Sequence, residues 1–334
     1  MEIFSLAHLW AGIIAVAILV YVLLDGFDLG VGILFGMTRD GAKRGPMMAA
    51  IAPFWDGNET WLVVIGASLF AAFPAVYAVF LSAFYLPVLL LLVGLIFRGV
   101  AFEFRYRSER IRGVWDFGFA AGSTLAAFVQ GAAVGAMMRG IPVEDGQFAG
   151  TSLEWLHPFP VLTGIGLVLG YALLGACWLV LKTEGAVADW ARDMVFWMAI
   201  GVLAIVGPAI VAALTVDMSP GLTQAAARFG MLSSLGAAVG FYALLLLVAC
   251  ARLRLDGILY PLGALFFAAT FVALAGMMWP YMIPYTLTIR DAAAPEASLR
   301  FMLFAGVVVL PVVAIYTIGV YWLFRGKVAS TEEP

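Results

Sequence analysis

Residues 7–35 read AHLWAGIIAVAILVYVLLDGFDLGVGILF. The run is apolar until Asp25, and it is longer than the roughly 20 residues that cross a hydrocarbon core. It is also too long for a signal-peptide h-region, and neither a basic segment nor a small-residue cleavage site flanks it. It is therefore expected to be a retained first span that tilts or projects beyond the membrane face. The rest of the chain has the same character. Of 334 residues, 64% are hydrophobic and only 12% charged. Soluble domains carry about 45–50% apolar and about 25% charged residues. The bilayer must serve as solvent for this surface.

Eight more apolar stretches of crossing length follow, at about 47–72, 76–99, 114–138, 158–181, 194–215, 228–250, 257–280 and 299–324. The expected fold is all-α: a polytopic membrane protein of about nine transmembrane helices with short connections. Short connections make neighbours antiparallel, and the 36 glycines suit close helix approach in lipid. Two four-helix bundles, 1–139 and 158–281, plus a peripheral helix over 299–326, form the expected single membrane domain.

Charge placement sets an expected orientation. With the N-terminus outside, one face collects Arg39, Lys43, Arg44, Arg98, Arg105, Arg107, Arg110, Arg112, Lys182, Arg192, Arg252, Arg254, Arg325 and Lys327. These are 14 of the 18 basic residues. Arg139, Arg228, Arg290 and Arg300 fall on the other face. The positive-inside rule makes the crowded face cytoplasmic, with the C-terminus inside. A net charge of −3 without a basic block gives no sign of a nucleic-acid partner. Cys177 and Cys250 are isolated in apolar runs and are read as small buried hydrophobes.

The chemistry concentrates in the first two spans. The first contains Asp25-Gly26-Phe27-Asp28-Leu29-Gly30. The second contains Trp55-Asp56-Gly57-Asn58-Glu59. Each charged carboxylate at the bilayer centre costs about 2.5–3.5 kcal/mol. Asp25, Asp28, Asp56 and Glu59 must therefore face the interior, stay neutral or find partners. Asp25 and Asp56 would lie at similar depth, about 14–15 Å from the cytoplasmic face. Asp25 and Asp28 are i,i+3 neighbours, as are Asp56 and Glu59, so the four form a ladder a proton could climb from the cytoplasm. Pro53, one turn before Asp56, would remove a helix hydrogen bond and kink the span. The alternative is that these acids are buried anchors, bonded to backbone, Asn58, Thr60 or Trp indoles. Neither Asn58 nor Trp61 is assigned a catalytic role.

Arg98, at the end of the third span, is a charge partner for Asp25 or Asp28, or else a cation snorkelling to headgroups. Arg105, Arg107, Arg110 and Arg112 are read as snorkelling. The two histidines, His8 and His157, fall near the outer face, and neither is expected to ligate haem. Loop 279–291, with Trp279, Tyr281 and Tyr285 beside Pro280 and Pro284, suits an interfacial aromatic belt.

Asp25-Gly26-Phe27-Asp28-Leu29-Gly30, Trp55-Asp56-Gly57-Asn58-Glu59, Leu69–Tyr77 and Phe97-Arg98 together resemble subunit II of cytochrome bd-type quinol oxidases. Residues 284–295 resemble the cyanide-insensitive branch. The resemblance spans the chain, with its specific motifs in the first 105 residues. It implies a bacterial inner-membrane complex that oxidises quinol and reduces oxygen to water with cytoplasmic protons. It also implies a larger partner, subunit I, that carries haem b and haem d, or haem b alone. Subunit II would bind no haem directly and would not be catalytic alone; some members hold a structural quinone or small single-helix accessory subunits. In the family the aspartate of the second motif, here Asp56, is linked to a proton route, with Asp25, Asp28 and Glu59 in support. A proton-coupled secondary transporter with a midplane carboxylate site is the competing reading.

Overall fold

In the computed structural model, the described residues are 5–107, 110–215 and 230–328. They form eleven α-helices: α1 (Leu6–Met37), α2 (Gly41–Ala49), α3 (Trp55–Ala72), α4 (Pro74–Ala83), α5 (Tyr85–Phe104), α6 (Arg112–Arg139), α7 (Pro158–Lys182), α8 (Gly185–Thr215), α9 (Met231–Arg252), α10 (Leu259–Met278) and α11 (Glu296–Leu323). Two short antiparallel pairs, 143–144 with 147–148 and 281–283 with 287–288, lie in the α6–α7 and α10–α11 connections. Eight described helices are long and apolar enough to cross a membrane. Helix α3 has 18 residues, about 27 Å at ~1.5 Å per residue, but is not among those eight, so the count comes close to the expected nine. The expected start of the seventh span at 228, Arg228, and the tail beyond 328 lie outside the described residues.

Two expected spans are broken. The stretch 47–72 is not one kinked helix. Helix α2 is capped by Asp40, whose Oδ1 accepts from the Ala42 amide at 3.0 Å. The chain then turns through residues 50–54 before α3 begins. Pro53, which has no N–H to donate, precedes α3 and does not kink it. The Lys43 ammonium and the Ala42 amide hold the Asp40 carboxyl below its usual range. The stretch 76–99 divides at Phe84 into α4 and α5, with Pro74 ending α3 and opening α4. The sixth span begins at Gly185, earlier than 194, and the ninth at Glu296.

Helices α1 and α7 occupy the centre. Helix α1 packs on α3, α6 and α7; α5 packs on α6, and α6 on α7. Helix α7 also meets α8 and α10, and α9 meets α8 and α10. Helix α11 touches α1 and α3 only along one side, and its apolar window is 0% buried within this chain.

The buried residues of α1 explain where the acids point. Ala7, Trp10, Ile14, Ala17 and Tyr21 are buried at alternating steps of three and four, the spacing of one helix face. Asp25 and Asp28 continue that face. Beyond it, every residue from Asp25 to Phe35 is buried, because α7 closes over α1. Glycines permit this approach: a Cβ on Gly30 would lie 1.8 Å from the Tyr171 carbonyl oxygen, and one on Gly175 would lie 2.5 Å from the Gly30 carbonyl carbon. Both obstacles are backbone. Gly30→Leu is thus expected to cost more than the about 1–3 kcal/mol of an added core methylene. It should abolish the monodisperse yield of the tagged chain from membranes; a wild-type yield would show that the helices can separate.

Candidate functional site: a buried acidic cluster

Helices α1, α3, α5 and α11 converge on Asp25 and Asp28, both 0% exposed. Arg98 enters from α5, also buried. Its depth is set where α5 crosses α6, since a Cβ on Gly122 would lie 2.4 Å from the Gly94 oxygen. The guanidinium forks between two helices. Nη1 donates to Asp25 Oδ1 at 2.7 Å, and Nη2 donates to Glu59 Oε1 at 2.5 Å. A planar fork with charge on every donor suits such a split contact, which a lysine cannot reproduce.

Asp28 has a different partner. Asn58 Nδ2 donates to Asp28 Oδ2 at 2.7 Å and to the Leu24 carbonyl at 3.3 Å. The Tyr321 hydroxyl on α11 donates to Asn58 Oδ1 at 3.0 Å. Asp28 thus faces a neutral amide, whereas Asp25 faces a cation. Among the described residues, Asp25 Oδ2 and Asp28 Oδ1 are buried without a hydrogen-bond partner.

Asp56 is not in this cluster. It is exposed at the first turn of α3, where a carboxylate is favoured by the helix N-terminus. Asn58, two residues on, takes the inward position. Glu59 lies between, its side chain 24% exposed. The polar groups therefore run from the exposed Asp56, past Glu59, to Arg98 and Asp25.

Toward the C-terminal end of α1 the surroundings of the two aspartates are apolar. Below Asp28, Leu29, Val31, Leu34 and Phe35 pack with Met47, Met48, Ile51 and Phe54 in one apolar cluster. The accessible acids beside the cluster are Glu59 and Asp56 on α3. Nor does Arg105 snorkel. It is buried, donating Nε to Asp116 Oδ1 at 2.5 Å, with Phe35 under its guanidinium at 5.3 Å. Arg44 Nη1 shares Asp116 at 2.7 Å.

Sequence reasoning placed the acids and Arg98 but missed the groups that orient them. Asn58 was named only as one possible anchor for the acids, and Tyr321 lies 263 positions from it in sequence, so no local spacing signals it. Neither histidine faces the bundle interior. His8 Nδ1 pairs with Ser5 Oγ at 2.7 Å beside Trp279, and His157 Nε2 lies 3.3 Å from Glu154. Among the described residues no group of three or more His, Cys, Asp or Glu could hold a metal.

Eight described helices long and apolar enough to cross a membrane, enclosing two fully buried aspartates beside a buried arginine, define a polytopic membrane protein. The model for the cytochrome bd terminal oxidase subunit II family matches residues 6–324, and the chain belongs to that family. Subunit 2 of the cytochrome bd-I ubiquinol oxidase of Escherichia coli K12 is 30% identical, over 98% of this chain and 96% of that protein. Subunit 2 of the cytochrome bd ubiquinol oxidase of Bacillus subtilis 168 is 29% identical, over 98% of each. A chain of the bd oxidase from Geobacillus thermodenitrificans has the same fold, with a TM-score of 0.77 at 11% identity over 97% of this chain and 99% of that one.

Proposed function

We propose that this chain is the subunit II partner in a bacterial quinol-oxidising, oxygen-reducing complex, and that its acidic cluster takes part in proton uptake for oxygen reduction. Family membership supports the oxidase over a secondary transporter. Haem b, with haem d or a second kind of haem b site, would sit in subunit I and supply the oxygen chemistry. This chain's own residues would hold and move protons. The positive-inside charge pattern supports an N-terminus outside and a C-terminus in the cytoplasm.

One observation carries the proton reading. Asp25 and Glu59 share a single buried guanidinium, and Asp28, buried beside them, is bonded to the Asn58 amide instead. Three ionised acids around one cation would leave uncompensated buried charge, which is costly. Asp25 and Glu59 have the arginine; Asp28 has only the Asn58 amide. Asp28 is thus the acid whose proton can come and go, on its unpartnered Oδ1. The exposed Asp56 and partly exposed Glu59 would give the cluster a mouth on the surface of α3. That surface, with the open side of α11, is where subunit I would dock, so the mouth would be lined by both subunits.

Asp56→Asn tests this reading. It changes no hydrogen bond of the buried cluster, so both subunits and the pigments should be retained. Oxygen consumption with quinol should fall several-fold. Wild-type turnover in the assembled variant complex would contradict a relay at Asp56, and loss of the whole complex would make Asp56 a docking anchor instead. The pigment and subunit content of the purified complex tests the wider assignment: a colourless chain active alone in proteoliposomes would restore the transporter reading.

A further inference from the structure

Helix α11 lies at the edge of the chain, yet it carries the Tyr321 hydroxyl that reaches Asn58 Oδ1 at 3.0 Å. Trp10 Nε1 donates to the Leu299 carbonyl at 3.2 Å and Trp61 Nε1 to Thr317 Oγ1 at 3.3 Å, tying α11 along its length. The tie at its C-terminal end comes from α7. Lys182, the last residue of α7, is 4% exposed. Its ammonium donates to the Gly326 carbonyl at 3.0 Å and to the Phe324 carbonyl. The Val328 amide returns a bond to the Lys182 carbonyl at 2.8 Å. The last carbonyls of a helix have no partner within it and carry its negative partial charge. Lys182 is thus a C-terminal cap that one helix supplies to another.

The same ammonium lies 5.0 Å from the centre of the Phe54 ring and 5.3 Å from that of Trp178. The Tyr321 ring stands 4.7 Å from Phe54, so the cap and Tyr321 share one aromatic wall. Charge accounting sets this lysine apart. Arg98 and Arg105, the other buried cations among the described residues, each bind a carboxylate. Lys182 is held by carbonyls and ring faces, while the nearby Glu184 pairs with Lys327 at 3.6 Å. A buried charge is costly and an apolar side chain could fill the space. What the ammonium adds is direction: its bonds fix where α11 ends. A slip of α11 by one residue would carry the Tyr321 hydroxyl about 1.5 Å along the axis and about 100° around it, which breaks its bond to Asn58.

We propose that Lys182 is a positioning residue for the acidic cluster: by capping α11 it sets the height of Tyr321, and through the Tyr321 hydroxyl it orients the Asn58 amide that holds Asp28. This rests on the proposed proton role of Asp28 and extends it to a residue on a helix that touches none of the acids' hydrogen bonds.

The test compares Lys182→Met, Tyr321→Phe and the double variant in the assembled complex. Backbone amides of residues 320–328 should exchange hydrogen about tenfold or more faster in Lys182→Met than in wild type, and at the wild-type rate in Tyr321→Phe. The kcat for quinol oxidation should fall several-fold in each single variant, with KM for quinol and haem content unchanged. The double variant should fall no further, because one residue acts through the other. Wild-type exchange in Lys182→Met would overturn the cap. A double variant slower than both single variants would overturn its action through Tyr321. If Lys182→Met does not assemble, exchange in the wild-type complex decides: the Val328 amide should be protected, and unprotected exchange there overturns the proposal. Faster exchange with wild-type kcat in Lys182→Met would overturn the positioning role and leave the proton role to be judged on Asp28→Asn.

Discussion

Replacing Arg98 with methionine is expected to remove the assembled complex from the membrane. The substitution strands Asp25, fully buried, and leaves Glu59 without its partner. Breaking a buried ion pair by removing one member costs about 3–5 kcal/mol, against a total stability of about 5–15 kcal/mol for a typical protein. The measurement is pigment and subunit content after purification. Adding Asp25→Asn to Arg98→Met removes the stranded charge and should restore part of the assembly. Arg98→Lys should fall between, because one ammonium cannot reach both acids with the fork geometry. A normal content of complex with Arg98→Met alone would show that neither acid needs the cation.

Asp28→Asn is expected to separate assembly from turnover. The new amide has the size of the carboxyl, and its oxygen can still accept from Nδ2 of Asn58, a residue that keeps its bonds to Leu24 and Tyr321. Subunits and pigments should therefore persist. Turnover should fall about tenfold to a hundredfold, at or below the low end of what a directly acting acid–base group contributes. Oxygen consumption at saturating quinol checks this. Asp25→Asn with Arg98 intact should instead lower the yield, because it leaves a buried guanidinium with Glu59 alone. If the two variants behaved alike, the division of labour between a cation-paired and an amide-paired acid would be wrong.

The membrane architecture was legible because lipid demands long apolar helices, and that demand is written into composition. Where it was not legible, local chemistry overrode hydropathy. Residues 50–54 are apolar enough to read as helix, but Pro53 and the packing of Ile51 and Phe54 into the core turn the chain there. Phe84 interrupts the next span without any polar signal. At the site, the i,i+3 spacing of Asp25 and Asp28 and the steps back through Tyr21 to Ala7 mark one buried face. The same spacing misled for Asp56 and Glu59. It places them near each other on α3, but the face that α3 turns toward α1 is that of Asn58. Arg98 was legible as a candidate partner through its cost in lipid, but its fork to Glu59 was not. Tyr321 comes from a distant helix, and its bond to Asn58 emerges only from the packing of α11 against α1 and α3.

Arg105 shows the same limit in reverse. Basic residues at the end of a span usually extend to headgroups, yet this one turns inward to Asp116 and Phe35. Sequence spacing puts Asp116 beyond a loop, on the next helix, so the pairing follows from how α5 and α6 cross at Gly94 and Gly122.

Proton uptake during a single turnover tests the central claim most directly. The reduced complex would be mixed with oxygen in weakly buffered solution containing a pH-sensitive dye, in wild type and in assembled Asp28→Asn. The expected result is an uptake phase slowed in proportion to the loss of steady-state turnover, with the initial binding of oxygen unchanged. Uptake at the wild-type rate and extent in Asp28→Asn would contradict a part for this buried acid in delivering protons.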